Sequence, residues 1–145
     1  MGRTPFNQIV TVARGDQYIS LESSTVVEDD LFRAKMVSEF YRGYADVSYD
    51  KSGFKILCRN LPVSDEQLEQ FKKDLYAAYF AGDYPYKASV KMFGQTEFIG
   101  NLKIVHDTDG YELYKIRYTN KQIHLLNNIS EYSVVIDTDR DFSIQ

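Results

Sequence analysis

The sequence predicts a single α+β domain, mainly antiparallel sheet, with two helices. Three observations carry that expectation. A chain of 145 residues with 43% hydrophobic and 26% charged side chains has the size and composition of one globular domain. Such a chain can bury a core without disulfides or a structural metal. Segments rich in Tyr, Val, Ile and Phe recur between Gly- and Asp-bearing turns, too closely spaced for the helical crossovers that parallel strands need. One later segment carries a complete set of helix start and stop signals.

Residues 6–13 read as a strand, Arg14-Gly15-Asp16 supplies turn chemistry, and a second strand runs from Tyr18 to Val26. Glu28-Asp29-Asp30 then sets negative charge where a helix N-terminus favours it, and Leu31, Ala34, Val37 and Tyr41 recur at helical spacing up to Gly43. That spacing predicts the first helix. Residues 44–49 and 54–61 flank Asp50-Lys51-Ser52-Gly53 and predict a second hairpin.

The second helix is expected over 64–81. Ser64 and Gln67 form a capping box, and Val63 can staple onto Leu68. Leu68, Phe71, Leu75, Ala78 and Tyr79 make one apolar stripe, which Gly82 ends. Strands are expected over 87–93, 97–105, 111–118 and 132–137, with a short helical segment at 121–129. At an offset of 37, Ile19, Val26 and Leu31 align with Ile56, Val63 and Leu68. The chain therefore reads as a ββα-ββα repeat followed by a β-meander.

Composition excludes several classes of activity. The net charge of -4 is spread evenly, with no basic tail to hold nucleic acid. A single cysteine, Cys58, rules out an internal disulfide or a cysteine zinc site, and two histidines leave little imidazole chemistry. No cofactor and no metal site are assigned. No apolar run approaches the ~20 residues of a membrane span, and Met1-Gly2-Arg3-Thr4-Pro5 lacks the apolar stretch of a signal peptide. A cytoplasmic protein without a membrane partner is expected.

The motifs that resemble catalytic ones are incomplete. Ile104-Val105-His106-Asp107-Thr108-Asp109-Gly110 resembles the nucleophile strand of haloacid-dehalogenase-type phosphatases, but too little chain follows to supply that family's later motifs. Asp137-Thr138-Asp139-Arg140-Asp141 opens like a calcium loop, yet Phe142 stands where the loop requires Gly. A cation shared between these two acidic turns is the remaining metal reading. His106-x-Thr108 has no second half at His124, and Cys58 lies in an apolar strand, so no catalytic residue is assigned and no enzyme activity is expected.

Residues 56–62 with Ser64, Leu68 and Phe71 resemble the first strand and helix of an RNA recognition motif. That resemblance implies base stacking on the strand, but Leu57 replaces the stacking aromatic.

Twelve Tyr and nine Phe without Trp point to binding. Tyr joins an apolar ring to a hydroxyl and suits both half-buried sheet positions and interfaces. Tyr41, Arg42 and Tyr44 at one expected helix end, with Tyr79, Tyr84 and Tyr86 at the other, combine the residue types that dominate binding hot spots. The leading expectation is a non-catalytic protein that binds a protein partner through these residues. The alternative is a nucleic-acid-binding face built from Lys87, Lys91, Lys115 and Arg117. In type, a short Trp-free chain rich in Tyr and Asp looks like bacteriophage virion components and host-factor inhibitors.

Overall fold

Alternation at period two governs most of the chain, and it builds one sheet. The computed structural model describes residues 5–139. Its strands are β1 (Phe6–Arg14), β2 (Gln17–Glu28), β3 (Leu31–Ser38), β4 (Gly43–Asp50) and β5 (Gly53–Arg59). After helix α1 (Asp65–Tyr79) come β6 (Thr96–Ile99), β7 (Leu102–His106), β8 (Glu112–Tyr118), β9 (Gln122–Asn127) and β10 (Tyr132–Thr138). All ten strands form a single sheet in the order β5-β4-β3-β2-β1-β10-β9-β8-β7-β6, every pair antiparallel. Two five-stranded meanders thus meet along the β1–β10 seam, and the result is one domain.

The inner face carries the core. Phe6 and Val10 from β1, Phe32, Ala34 and Met36 from β3, and Ala45, Val47 and Tyr49 from β4 are buried on it. From the other meander come Val105, Tyr114, Ile116, Ile123, Leu125, Val134 and Ile136. Helix α1 lies against both halves. Tyr79 packs on Phe32 at 5.1 Å between ring centroids and Phe80 on Tyr49 at 4.8 Å, while the Tyr118 hydroxyl donates to the Ala78 carbonyl at 2.5 Å. The sheet therefore wraps the helix, and the apolar stripe of α1 reaches strands far apart in sequence.

The start of α1 follows its sequence signals. The Gln67 amide N–H donates to the Ser64 hydroxyl at 3.1 Å and the Ser64 N–H to the Gln67 side chain at 2.8 Å, closing the capping box. Gly82, with φ of 70°, sits just beyond the helix end, in a short 3-10 turn over Ala81–Asp83. The left-handed conformation there costs Gly nothing.

Five expectations are corrected. Residues 31–38 are strand β3, not a helix, because Phe32, Ala34, Met36 and Ser38 alternate inward with Arg33, Lys35 and Val37 outward. The chain therefore has one α-helix among the described residues, and the hairpin–helix repeat disappears, since the match of Leu31 to Leu68 pairs a strand with a helix. Residues 122–127 are strand β9 rather than helix, 87–93 form an irregular loop rather than a strand, and the strand expected over 97–105 folds back at Gly100-Asn101 into the antiparallel pair β6 and β7.

Candidate functional site

The meander sends its turns alternately to two ends of the sheet. The upper end holds the turns after β1, β3, β7 and β9, and the lower end those after β2, β4, β6 and β8. The lower turn residues are polar, Asp29-Asp30, Lys51-Ser52, Gly100-Asn101 and Thr119-Asn120-Lys121, with Ile99 exposed beside the third. The upper turns each carry a large exposed apolar side chain. Tyr18 is 72% exposed, Phe40 86%, Tyr111 70% and Ile129 65%. Successive upper turns stand two strands apart, about 10 Å at the usual strand spacing. They form a row along one edge of the molecule.

Phe40 and Tyr41 pack edge to face at 4.8 Å, so the β3–β4 turn presents two rings together. The Tyr41 N–H donates to the Ser38 hydroxyl at 3.2 Å, and Arg42 takes the left-handed conformation at φ 53°. Gly43 closes this turn against the end of β5. A Cβ there would lie 2.4 Å from the Asn60 carbonyl oxygen, so only Gly permits the approach. Below it on the outer face, the Lys35 ammonium stands 5.2 Å from the centre of the Tyr44 ring.

The other expected site residues divide. Tyr41, Arg42 and Tyr44 lie together at the upper end, on a strand turn rather than a helix end. Tyr79, Tyr84 and Tyr86 lie at the true end of α1, where the chain reaches the lower end of the sheet. Tyr79 is fully buried, exchanging hydrogen bonds with Gln8 at 2.9 and 3.3 Å. Tyr84 packs on Tyr118 at 5.1 Å and on Phe98 at 5.8 Å, and the Tyr86 N–H donates to the Tyr79 carbonyl. These three close the core around the helix end. The two aromatic groups do not form one surface.

Nor do the four cations make one patch. Lys87 and Lys91 lie on the loop before β6, where Lys91 pairs with Asp83 at 2.6 Å and the Lys87 N–H donates to Asp29. Lys115 and Arg117 share the outer face of β8, with Lys115 3.8 Å from Glu112 and Arg117 donating to Asn101 at 3.2 Å. A different basic surface lies on the outer face of the first meander. Arg33, Lys35, Lys55 and Arg59 all point outward there.

Two buried titratable side chains hold the helix. Lys103 is fully buried and donates to the Ala77 carbonyl at 2.9 Å and the Tyr84 carbonyl at 2.5 Å. It thereby satisfies one carbonyl in the last turn of α1, at Ala77, and one in the segment that follows, at Tyr84. Burial holds its pKa well below the ordinary lysine value. Asp74, 1% exposed, accepts from Tyr114 at 2.9 Å, Gln70 at 3.1 Å, Asn127 at 3.2 Å and also from Tyr132. Burial raises its carboxyl pKa despite those donors. The donors to Asp74 are uncharged, and the groups meet within packed side chains that tie α1 to β8, β9 and β10.

The acidic turns act locally. The Asp107 carboxylate accepts the N–H groups of Asp109 and Tyr111 at 2.9 Å each. It lies at the upper end of the sheet, whereas Asp137 and Asp139 lie at the lower end, so the two turns cannot share a cation. Asp141 lies outside the described residues. Burial pushes the Cys58 thiol up, away from a reactive thiolate. Among the described residues no group of three His, Cys, Asp or Glu side chains could hold a metal, and no helix is long and apolar enough to cross a membrane.

No protein-family model and no curated protein matches this chain.

Proposed function

We propose that this chain is a non-catalytic binding protein whose partner is another protein, docked on the upper turns. The observation that supports it is the asymmetry between the two sheet ends. Each upper turn, or the strand residue beside it, exposes a large apolar side chain, whereas among the lower turns only the one after β6 does, at Ile99. Scattered exposed apolar residues need no explanation, but a row along one end, against the single Ile99 at the other, is the pattern of an interaction surface. Aromatic and Arg side chains are enriched at such surfaces and supply most of their binding energy. Tyr18, Phe40, Tyr41, Arg42, Tyr111 and Ile129 are the residues assigned to it, with Tyr44 beside them on the outer face.

Capture from the native cell lysate on immobilised protein, with and without nuclease, tests the reading. A protein should be retained in both conditions, and Phe40→Ser with Tyr41→Ser should reduce its retention at least about tenfold at an unchanged circular dichroism spectrum. Retention that nuclease abolishes, or that the double variant leaves unchanged, overturns it.

A further inference from the structure

The outermost strand β5 is an unfinished edge. It pairs with β4 over its whole length, from Asp50 opposite Gly53 to Tyr44 opposite Arg59, with no bulge. No described strand pairs with its other side. Its inward residues show the same incompleteness. Phe54, Ile56 and Cys58 are only half-buried, whereas Ala45, Val47 and Tyr49 on the next strand are buried. One more strand would cover them.

The outer face beside that edge is cationic. Cross-strand rows place Arg33, Ser48 and Lys55 side by side, then Lys35, Asp46 and Leu57, then Val37, Tyr44 and Arg59. A trough of about 510 Å³ runs over the first two rows, with Arg33, Lys35 and Lys55 on its walls and Asp46 the one carboxylate in its lining. Along β5 itself the outward sequence is Lys55, Leu57, Arg59, with Leu57 59% exposed.

We infer that β5 accepts an added strand from an acidic partner segment: an extended peptide presenting acid, apolar and acid side chains at alternate positions. Main-chain hydrogen bonds to a sheet edge supply affinity in this mode, and alternate side chains supply specificity. The two acids meet Lys55 and Arg59, and the apolar residue meets Leu57. Side chains on the peptide's other face cover Phe54 and Ile56.

A second copy of this chain fits less well, because antiparallel pairing centred on Leu57 sets Lys55 against Arg59 of the other copy. Cations on an edge strand discourage such self-pairing while leaving an acidic strand welcome. The other sheet edge, β6, has only four residues, and its Phe98 is packed on Tyr84. This inference rests on the protein-binding reading and names the partner's chemistry.

The test uses a fluorescein-labelled peptide Thr-Glu-Ile-Val-Ile-Glu-Thr, whose pattern is the same in either direction, and reads anisotropy against the full chain. Binding should weaken at least about tenfold in Lys55→Glu with Arg59→Glu and recover when both peptide Glu are replaced by Lys. N-methylation of alternate peptide amides should abolish binding in one of the two possible sets and spare it in the other, the mark of main-chain pairing. Equal binding of the Glu and Lys peptides, or indifference to both N-methylation sets, overturns the inference. So does a dimer in sedimentation that Ile56→Pro dissolves without unfolding the chain, since a second copy then occupies the edge. Should the peptide fail while Phe40→Ser with Tyr41→Ser still loses the captured protein, the edge assignment falls and the protein-binding reading stands.

Discussion

Tyr49 and Tyr114 put the same hydroxyl in opposite circumstances. The Tyr49 hydroxyl is buried with no hydrogen-bond partner, whereas the Tyr114 hydroxyl donates to Asp74 at 2.9 Å and accepts from Gln70 at 3.0 Å. An unsatisfied buried polar group costs about 1–3 kcal/mol, and removing one partner from a satisfied network costs a similar amount, so deleting the two hydroxyls has opposite effects. Tyr49→Phe should therefore raise the free energy of unfolding by about 1 kcal/mol, and Tyr114→Phe should lower it by at least that much. Urea denaturation checks both, and shifts of the same sign would contradict the assignment. The abundance of Tyr was legible in the sequence, but its distribution was not. Tyr76, Tyr79, Tyr114 and Tyr118 are interior, and composition does not tell them from the exposed Tyr18 and Tyr111.

Among the elements, α1 was legible because its signals are local. Cap, stripe and stop all fall within one segment: the Ser64–Gln67 box forms, Leu75, Ala78 and Tyr79 are buried, and Gly82 is left-handed just past the end. Ser64→Ala should cost about 1 kcal/mol of stability, and Ser64→Asp should keep most of it. A loss below a few tenths in urea titration would mean that tertiary packing alone sets the helix start. Strand β3 was misread because two periods cross at Ala34. Leu31, Ala34 and Val37 fit a helix, while Phe32, Ala34 and Met36 fit a strand, and burial of the second set decides. The error also concealed the cationic surface, since Arg33 and Lys35 share a face only on a strand. Residues 87–93 fail to pair for a tertiary reason. Their backbone is drawn to the β2–β3 turn, where the Asp30 N–H donates to the Lys87 carbonyl and the Asp30 carboxylate accepts the Ser89 N–H at 2.6 Å.

At the scale of the molecule, the β1–β10 seam joins segments more than a hundred residues apart, from Gln8 opposite Thr138 to Ala13 opposite Ser133. No local pattern specifies that pairing, yet it sets which turns share an end of the sheet. The apolar row exists only because the meanders meet in this register, so Tyr18, Phe40, Tyr111 and Ile129 could not be grouped beforehand. Of the expected site, Tyr41, Arg42 and Tyr44 remain at the surface, and the residues near the end of α1 serve the core. Site-specific photo-crosslinking in the native lysate tests the binding account most directly, with benzoylphenylalanine placed singly at Tyr41, Leu57, Tyr111, Ser52, Asn120 and Lys115. Protein adducts should form from Tyr41, Leu57 and Tyr111 and be absent from the lower-turn positions Ser52 and Asn120. Adducts confined to Ser52, Asn120 or Lys115, or adducts that nuclease removes, would contradict it.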